Sequence, residues 1–169
     1  MKILVLSDSH GKYQYTFDII YENTDSDVII HLGDGVSDVD EAARDVADLR
    51  HLKALQIIKV RGNCDLFSGE PVTSFDNISG HKFYCTHGYT INGSAGSVKS
   101  KLGVDALVED ARIGGRDVVL FGHTHKAVYE ERDGIHIFNP GTVMRGQYGI
   151  ITIDEKSGAM TFEHKVLEY

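Results

Sequence analysis

The run Val118-Val119-Leu120-Phe121-Gly122 leads straight into His123-Thr124-His125. A short apolar run that stops at glycine predicts a buried strand ending in a turn. Side chains two apart on an extended segment project to the same side, so both imidazoles can reach one point. Imidazole is a ligand for zinc, iron, nickel and copper. A pair of histidines is equally compatible with a hydrogen-bonded turn, and the rest of the chain has to decide between them.

Four other apolar runs stop in the same manner. Residues 2–6 end at Ser7-Asp8-Ser9-His10-Gly11, and residues 27–31 end before Leu32-Gly33-Asp34-Gly35. Residues 56–60 run into Arg61-Gly62-Asn63-Cys64-Asp65, and residues 82–86 into His87-Gly88. Singly, each has a plain structural reading: Gly-Asp-Gly is a tight turn whose Asp can cap the next helix, and Gly62-Asn63 is another turn string. Turns do not call for histidine, however, and five such ends in one domain point to a shared site. Sites in α/β folds collect outside the carboxyl ends of strands. The candidate donors are Asp8, His10, Asp34, Asn63, His87, His123 and His125, all oxygen or nitrogen. That set exceeds what one tetrahedral zinc needs and suits two transition ions sharing a bridging carboxylate.

Between the runs, Tyr13, Phe17, Ile20 and Tyr21 recur at helical spacing, predicting a helix over 13–23 with a core-facing aromatic stripe. Val39, Ala43, Val46 and Leu49 predict a surface helix over 36–49. Residues 97–102 and 104–113 predict helix broken near Gly103. A hairpin is expected around Ser79-Gly80, and the last third reads as β, with strands at 127–132, 135–138, 149–153 and 160–167. Asn92-Gly93-Ser94-Ala95-Gly96 is a flexible loop or a phosphate cradle. Strand–helix alternation followed by a meander predicts an α/β fold with mixed sheets, as a single domain over 1–169.

Composition narrows the partners. The formal charge is −8, with no basic tract or basic helix face. Long nucleic acid and anionic membrane are disfavoured, because both need Lys or Arg to neutralise phosphates. A divalent cation cluster could still attract a small phosphate ester. Two cysteines, Cys64 and Cys85, are too few for a disulfide scaffold. The apolar opening meets Ser7-Asp8 too early for a signal peptide or membrane span, so a cytoplasmic protein is expected.

Together, Asp8-Ser9-His10, Gly33-Asp34, Gly62-Asn63-Cys64-Asp65, His87-Gly88 and Gly122-His123-Thr124-His125 resemble the motifs of the calcineurin-like metallophosphoesterase superfamily. The short chain, Cys64 and Asn139-Pro140-Gly141-Thr142 are similar to its small YfcE/MJ0936-type phosphodiesterase branch. The resemblance implies a four-layer αββα sandwich of two mixed sheets, with the metals at the C-terminal strand ends. It implies that Asp8, His10 and His125 hold one divalent ion, that Asn63, His87 and His123 hold a second, and that Asp34 bridges them. Manganese is favoured, although nickel, iron or zinc would suit the same ligands. The implied activity is hydrolysis of small phosphodiesters by a hydroxide bridging the ions; the alternative is a non-catalytic scaffold on the same fold, and a homo-oligomer is left open. In larger relatives a histidine thought to protonate the leaving group stands where this chain has Cys64, so Cys64 is either a weak acid in catalysis or a small turn residue. Arg145 is the candidate cation for a substrate phosphate, joined by Asn63. His31 is a candidate for orienting a ligand.

Overall fold

The computed structural model describes residues 1–52, 55–90 and 97–168. In chain order the elements are β1 (Lys2–Leu6), α1 (Tyr13–Glu22), β2 (Val28–His31), α2 (Val36–Arg50) and β3 (Ile57–Lys59). A hairpin of β4 (Thr73–Ile78) and β5 (His81–Thr86) follows, then α3 (Lys101–Ile113) and β6 (Val118–Phe121). The chain closes with β7 (Ala127–Arg132), β8 (Ile135–Pro140), a 3-10 turn at Val143–Arg145, β9 (Gln147–Ile153) and β10 (Met160–Val166).

The continuous apolar runs become central strands because both of their faces are covered. β1 lies mid-sheet in the order β10-β9-β1-β2-β3, parallel to β2 and antiparallel to β9. β6 occupies the same place in the second sheet, β4-β5-β6-β8-β7, parallel to both neighbours. Three core layers follow from this. Ile3, Val5 and Ile30 face Phe83, Leu120 and Phe138 between the sheets. Leu4, Leu6 and Ile29 pack under α1 and α2, and Val119, Phe121 and Ile137 pack under α3. The result is the αββα sandwich, and Phe83 and Phe138 are completely buried at its centre. Truncating either to Ala would cost about 3–5 kcal/mol.

The expected elements are present with small shifts at their ends, apart from α3. The chain does not form two helices meeting at Gly103. α3 runs unbroken from Lys101, and the Ser100 hydroxyl caps it by accepting the Gly103 amide at 3.1 Å. Gly103 is needed because a side chain there would run into the Ser97 carbonyl. The glycine marks a close approach of chain to helix. The glycine-rich stretch 92–96 lies outside the described residues.

The parallel strands β1, β2, β5 and β6 fix the direction of the site, because their C-terminal ends emerge together. Cross-ties hold those ends in register: the Asp8 amide donates to Gly33 O at 2.9 Å, His10 N to Asp34 O at 3.0 Å, and Gly122 N to His87 O at 3.2 Å.

Candidate metal centre

β1, β2 and β6 leave their sheets through sharp reversals, and residues at those reversals carry the candidate donors. Asp8, His10, Asp34, His123 and His125 all have positive φ, between 46° and 63°. Only three other described non-glycine residues do. Left-handed backbone costs an L-residue roughly 1–2 kcal/mol. Five strained donors at one edge therefore mean that the backbone is bent to aim side chains, at a cost the surrounding packing must hold.

The side chains converge into two adjacent groups. Asp8, His10 and His125 place ligand atoms within 4.8 Å of one another, as do Asp34, His87 and His123. Asp34 Oδ2 lies 3.3 Å from His87 Nε2 and 3.7 Å from His10 Nε2, so it sits between the groups. Asp8 Oδ1 is 3.1 Å from His125 Nε2 and 3.8 Å from His87 Nε2. His10 Nε2 and His125 Nε2 approach to 3.3 Å.

The floor of this cluster is pinned from behind. Asp8 uses Oδ2 to accept the Ser7 hydroxyl at 2.5 Å and the His123 amide at 3.1 Å. His87 directs Nδ1 to the Leu32 carbonyl at 2.7 Å, which places the ring proton there and leaves the Nε2 lone pair facing inward. Asp34 Oδ1 accepts the Cys64 amide at 2.7 Å. After these ties, Asp8 Oδ1 and His87 Nε2 are buried without a hydrogen-bond partner among the described residues. A carboxylate oxygen and an imidazole nitrogen left so would be costly. Divalent cations held by this cluster would satisfy both atoms, and the oxygen–nitrogen donor set suits manganese, iron, nickel or zinc.

Electrostatics agree. Burial opposes ionisation of Asp34, yet His87 and the Cys64 amide outweigh it and hold the carboxyl well below the usual carboxylate range. Burial, with His87 and Lys99 nearby, pushes His123 down to about 4, so its ring is neutral and able to ligate at neutral pH. Burial lowers His87, but Asp34 and Asp8 facing it raise it above its ordinary value; a cation in that space would reverse the sign.

The remaining sequence candidates fall differently. Asn63 sits at the exposed tip after β3, its Nδ2 3.4 Å from Cys64 Sγ. Cys64 Sγ itself groups with His10 and Asp34 within 4.8 Å. Burial and then Asp34 push its thiol above the ordinary value. Arg145 is exposed in the 3-10 turn and does not line the depression of about 340 Å³ that opens between His10, Asp34, Asp38 and Cys64. His31 is fully buried, accepts the Gly33 amide on Nδ1 at 3.3 Å, and is pushed by burial down to about 4.

Several positioning residues escape a reading of strand ends. Asp65 accepts four backbone amides, those of Asp34 (2.6 Å), Gly35, Val36 and Gly62, and so ties the β2 turn, the β3 turn and the start of α2 together. Asp38 accepts the Ser9 hydroxyl and the Gly11 amide. Buried Asn139 donates to Gly122 O and Thr124 Oγ1, and Thr142 donates to Asp8 O. Only Asp65 and the Asn139–Thr142 string carried a signal, as parts of motifs. Gly62 is obligatory, because any Cβ there would collide with the Asp34 carboxylate.

Candidate donors gathered at the common edge of two face-packed mixed sheets define a class, the αββα sandwich with a candidate metal site at its edge. The model of the calcineurin-like phosphoesterase superfamily domain matches residues 1–157, and the chain belongs to that superfamily. A probable metallophosphoesterase of Mycoplasma pneumoniae is 31% identical over 142 residues, covering 84% of this chain and 79% of the relative. Phosphodiesterase MJ0936 of Methanocaldococcus jannaschii is 29% identical over 169 residues, covering 90% of each. Among solved structures, an archaeal phosphodiesterase matches with a TM-score of 0.69 at 24% identity, over 99% of this chain and 100% of its own. Zinc-complexed Vps29 of Entamoeba histolytica matches with a TM-score of 0.68 at 18% identity, over 98% and 99%. At these identities the structural matches speak for the fold, and the fold is the expected one. No described helix is long and apolar enough to cross a membrane.

Proposed function

We propose that this chain is a metal-dependent phosphodiesterase acting on small phosphodiesters. Asp8, His10 and His125 would hold one divalent cation, Asn63, His87 and His123 a second, with Asp34 shared between them. Manganese leads nickel, iron and zinc in this reading. When bound, such a pair supplies an activated water and neutralises charge that builds on the phosphoryl oxygens. The observation that carries the reading is the pair of unpartnered buried atoms, Asp8 Oδ1 and His87 Nε2, aimed into the space that His10, Asp34 and His125 also face.

The chain's own residues supply the rest. Asp34 stays ionised, and neutral His123 keeps a lone pair free. With only Asp8 and Asp34 as anionic ligands, two divalent ions would leave the pocket positive by about two charges, and a neutral Asn63 adds an oxygen without cancelling that field. Exposed Cys64, beside His10 and Asp34, is the candidate proton donor to the leaving group. Its raised thiol is a weak acid, which favours substrates with good leaving groups. The net charge of −8 favours small diesters over long nucleic acid. A binding module on the same fold is the competing reading, and the complete donor set argues against it.

Hydrolysis of bis(p-nitrophenyl) phosphate with added manganese tests this. Activity is expected in the unaltered protein, and His123→Ala should lose more than the 10–100-fold typical of removing a mere ligand partner, about a thousandfold. Full activity in His123→Ala would overturn the site.

A further inference from the structure

A second cavity, of about 470 Å³, lies against the same His123–His125 turn, with Thr124 in its wall. Its lining is apolar at Val98, Val104, Phe121 and Val128. Around this apolar surface stand Lys99, Lys101 and Lys126. Arg132 and the carboxylate of Glu130 also line the cavity, paired with each other at 2.6 Å, and Arg132 reaches Asp105 as well at 2.6 Å. None of the three lysines makes an ion pair with a described residue. Collecting three unpaired ammonium groups around one cavity, in a chain of net charge −8, needs a reason. Lys59, by contrast, is paired with Asp40 and Glu70.

The location supplies that reason. Thr124 is the residue between two candidate ligands, His123 and His125, and it shares the cavity wall with Lys99. A diester whose phosphorus sits at the donor cluster has two ester arms, and one of them would pass over Thr124 into this space. The volume is in the range of small-molecule sites. The apolar surface accepts a ring, and a compact ammonium is a good partner for a phosphate.

We propose that this cavity is a substrate subsite: it binds a second phosphate on one arm of the diester, with the apolar portion of that arm against Phe121 and Val128. The subsite rests on the phosphodiesterase reading and narrows its substrate class to small diesters that carry a further phosphate, of nucleotide size. The lysines take no part in the chemistry and select among substrates.

Calorimetric titration of the manganese-loaded protein with hydrolysis-resistant phosphorothioate-linked analogues of the dinucleotides ApA and 5′-phosphorylated pApA tests the subsite by binding alone. The account expects pApA to bind about tenfold more tightly than ApA, a gap that narrows as salt is raised. Lys99→Ala/Lys101→Ala/Lys126→Ala should bring pApA down to the affinity of ApA, whereas Lys156→Ala, in the turn before β10, should leave the gap intact. Equal affinities in the unaltered protein, or a gap that survives the triple substitution, would overturn the subsite. Hydrolysis of bis(p-nitrophenyl) phosphate by the unaltered protein is read separately. Its absence would overturn the phosphodiesterase reading, while the titration still decides whether the lysines recognise the added phosphate.

Discussion

The floor and the rim of the candidate metal centre are built on different terms. On the floor, Asp8, Asp34 and His87 are buried, and each has one side-chain atom tied to a neighbour while another points into the site. On the rim, Asn63 and Cys64 are exposed, His10 and His125 are half-buried, and Asn63 Nδ2 meets the Cys64 thiol at 3.4 Å. The floor's geometry is thus fixed without an ion, chiefly by backbone carbonyls and amides that cannot rotate away, with the Ser7 hydroxyl added on Asp8. The rim is free to adjust to the ion and to the substrate. Preorganisation on one side with adaptability on the other lets one fold keep its donor positions while the neighbouring loops change specificity.

The sharpest way to break the contrast is through Asp65, which touches none of the donors' inward atoms yet holds four amides of the floor. Those amides keep its carboxyl ionised despite burial. Asp65→Asn turns an acceptor of four bonds into a group that must also donate, so amides at Asp34 or Gly62 lose their partner. Metal affinity should fall by about 10–100-fold, as for other groups that orient ligands. Titration with manganese would show it; unchanged affinity would mean that the floor is not held in this way.

Asp65 also marks the limit of what the sequence discloses. The convergence of Asp8, His10, Asp34, His87, His123 and His125 could be read in advance because each follows an apolar run, and histidine at a turn has little structural excuse. The fold could be read for the same reason: continuous apolar runs require cover on both faces. Helix α3 was misjudged at Gly103 because a glycine kept for a close approach looks the same in sequence as a glycine that ends a helix. The ties made by Asp65, Asp38 and Asn139 were hidden because their partners are backbone atoms or short hydroxyls of other loops, which have no pattern along the chain. The lysine-rimmed cavity was hidden too, since Lys99, Lys101 and Lys126 come from two separate segments.

A second test concerns His31, beneath the floor. Its Nδ1 accepts the Gly33 amide, so the neutral ring carries its proton on Nε2. Burial lowers its folded-state value to about 4, below the ordinary 6.5. The unfolded chain therefore takes up this proton first. The stabilisation from a neutral His31 is complete above about pH 6.5 and is lost as the pH falls toward 4, amounting to about 3 kcal/mol. Denaturant unfolding across that window should be less steep in pH for His31→Leu than for the unaltered protein; identical slopes would remove His31 from the account.

The smallest effect belongs to the rim. Cys64→Ser keeps the size and exposure of the side chain, so metal affinity should change by no more than about threefold if Cys64 is a neighbour of the donors and not one of them. A loss as large as that of Asp65→Asn would make the thiol a ligand, as its grouping with His10 and Asp34 would permit.

The central claim is that separate strand ends deliver their donors to two adjacent cations. Elemental analysis of protein purified without chelator and equilibrated with manganese tests it most directly, with Asp34→Asn alongside. The account predicts two ions per chain, with occupancy falling at both positions in the variant, because Asp34 stands between the two donor groups. One ion or none in the unaltered protein, or full occupancy in the variant, would contradict it.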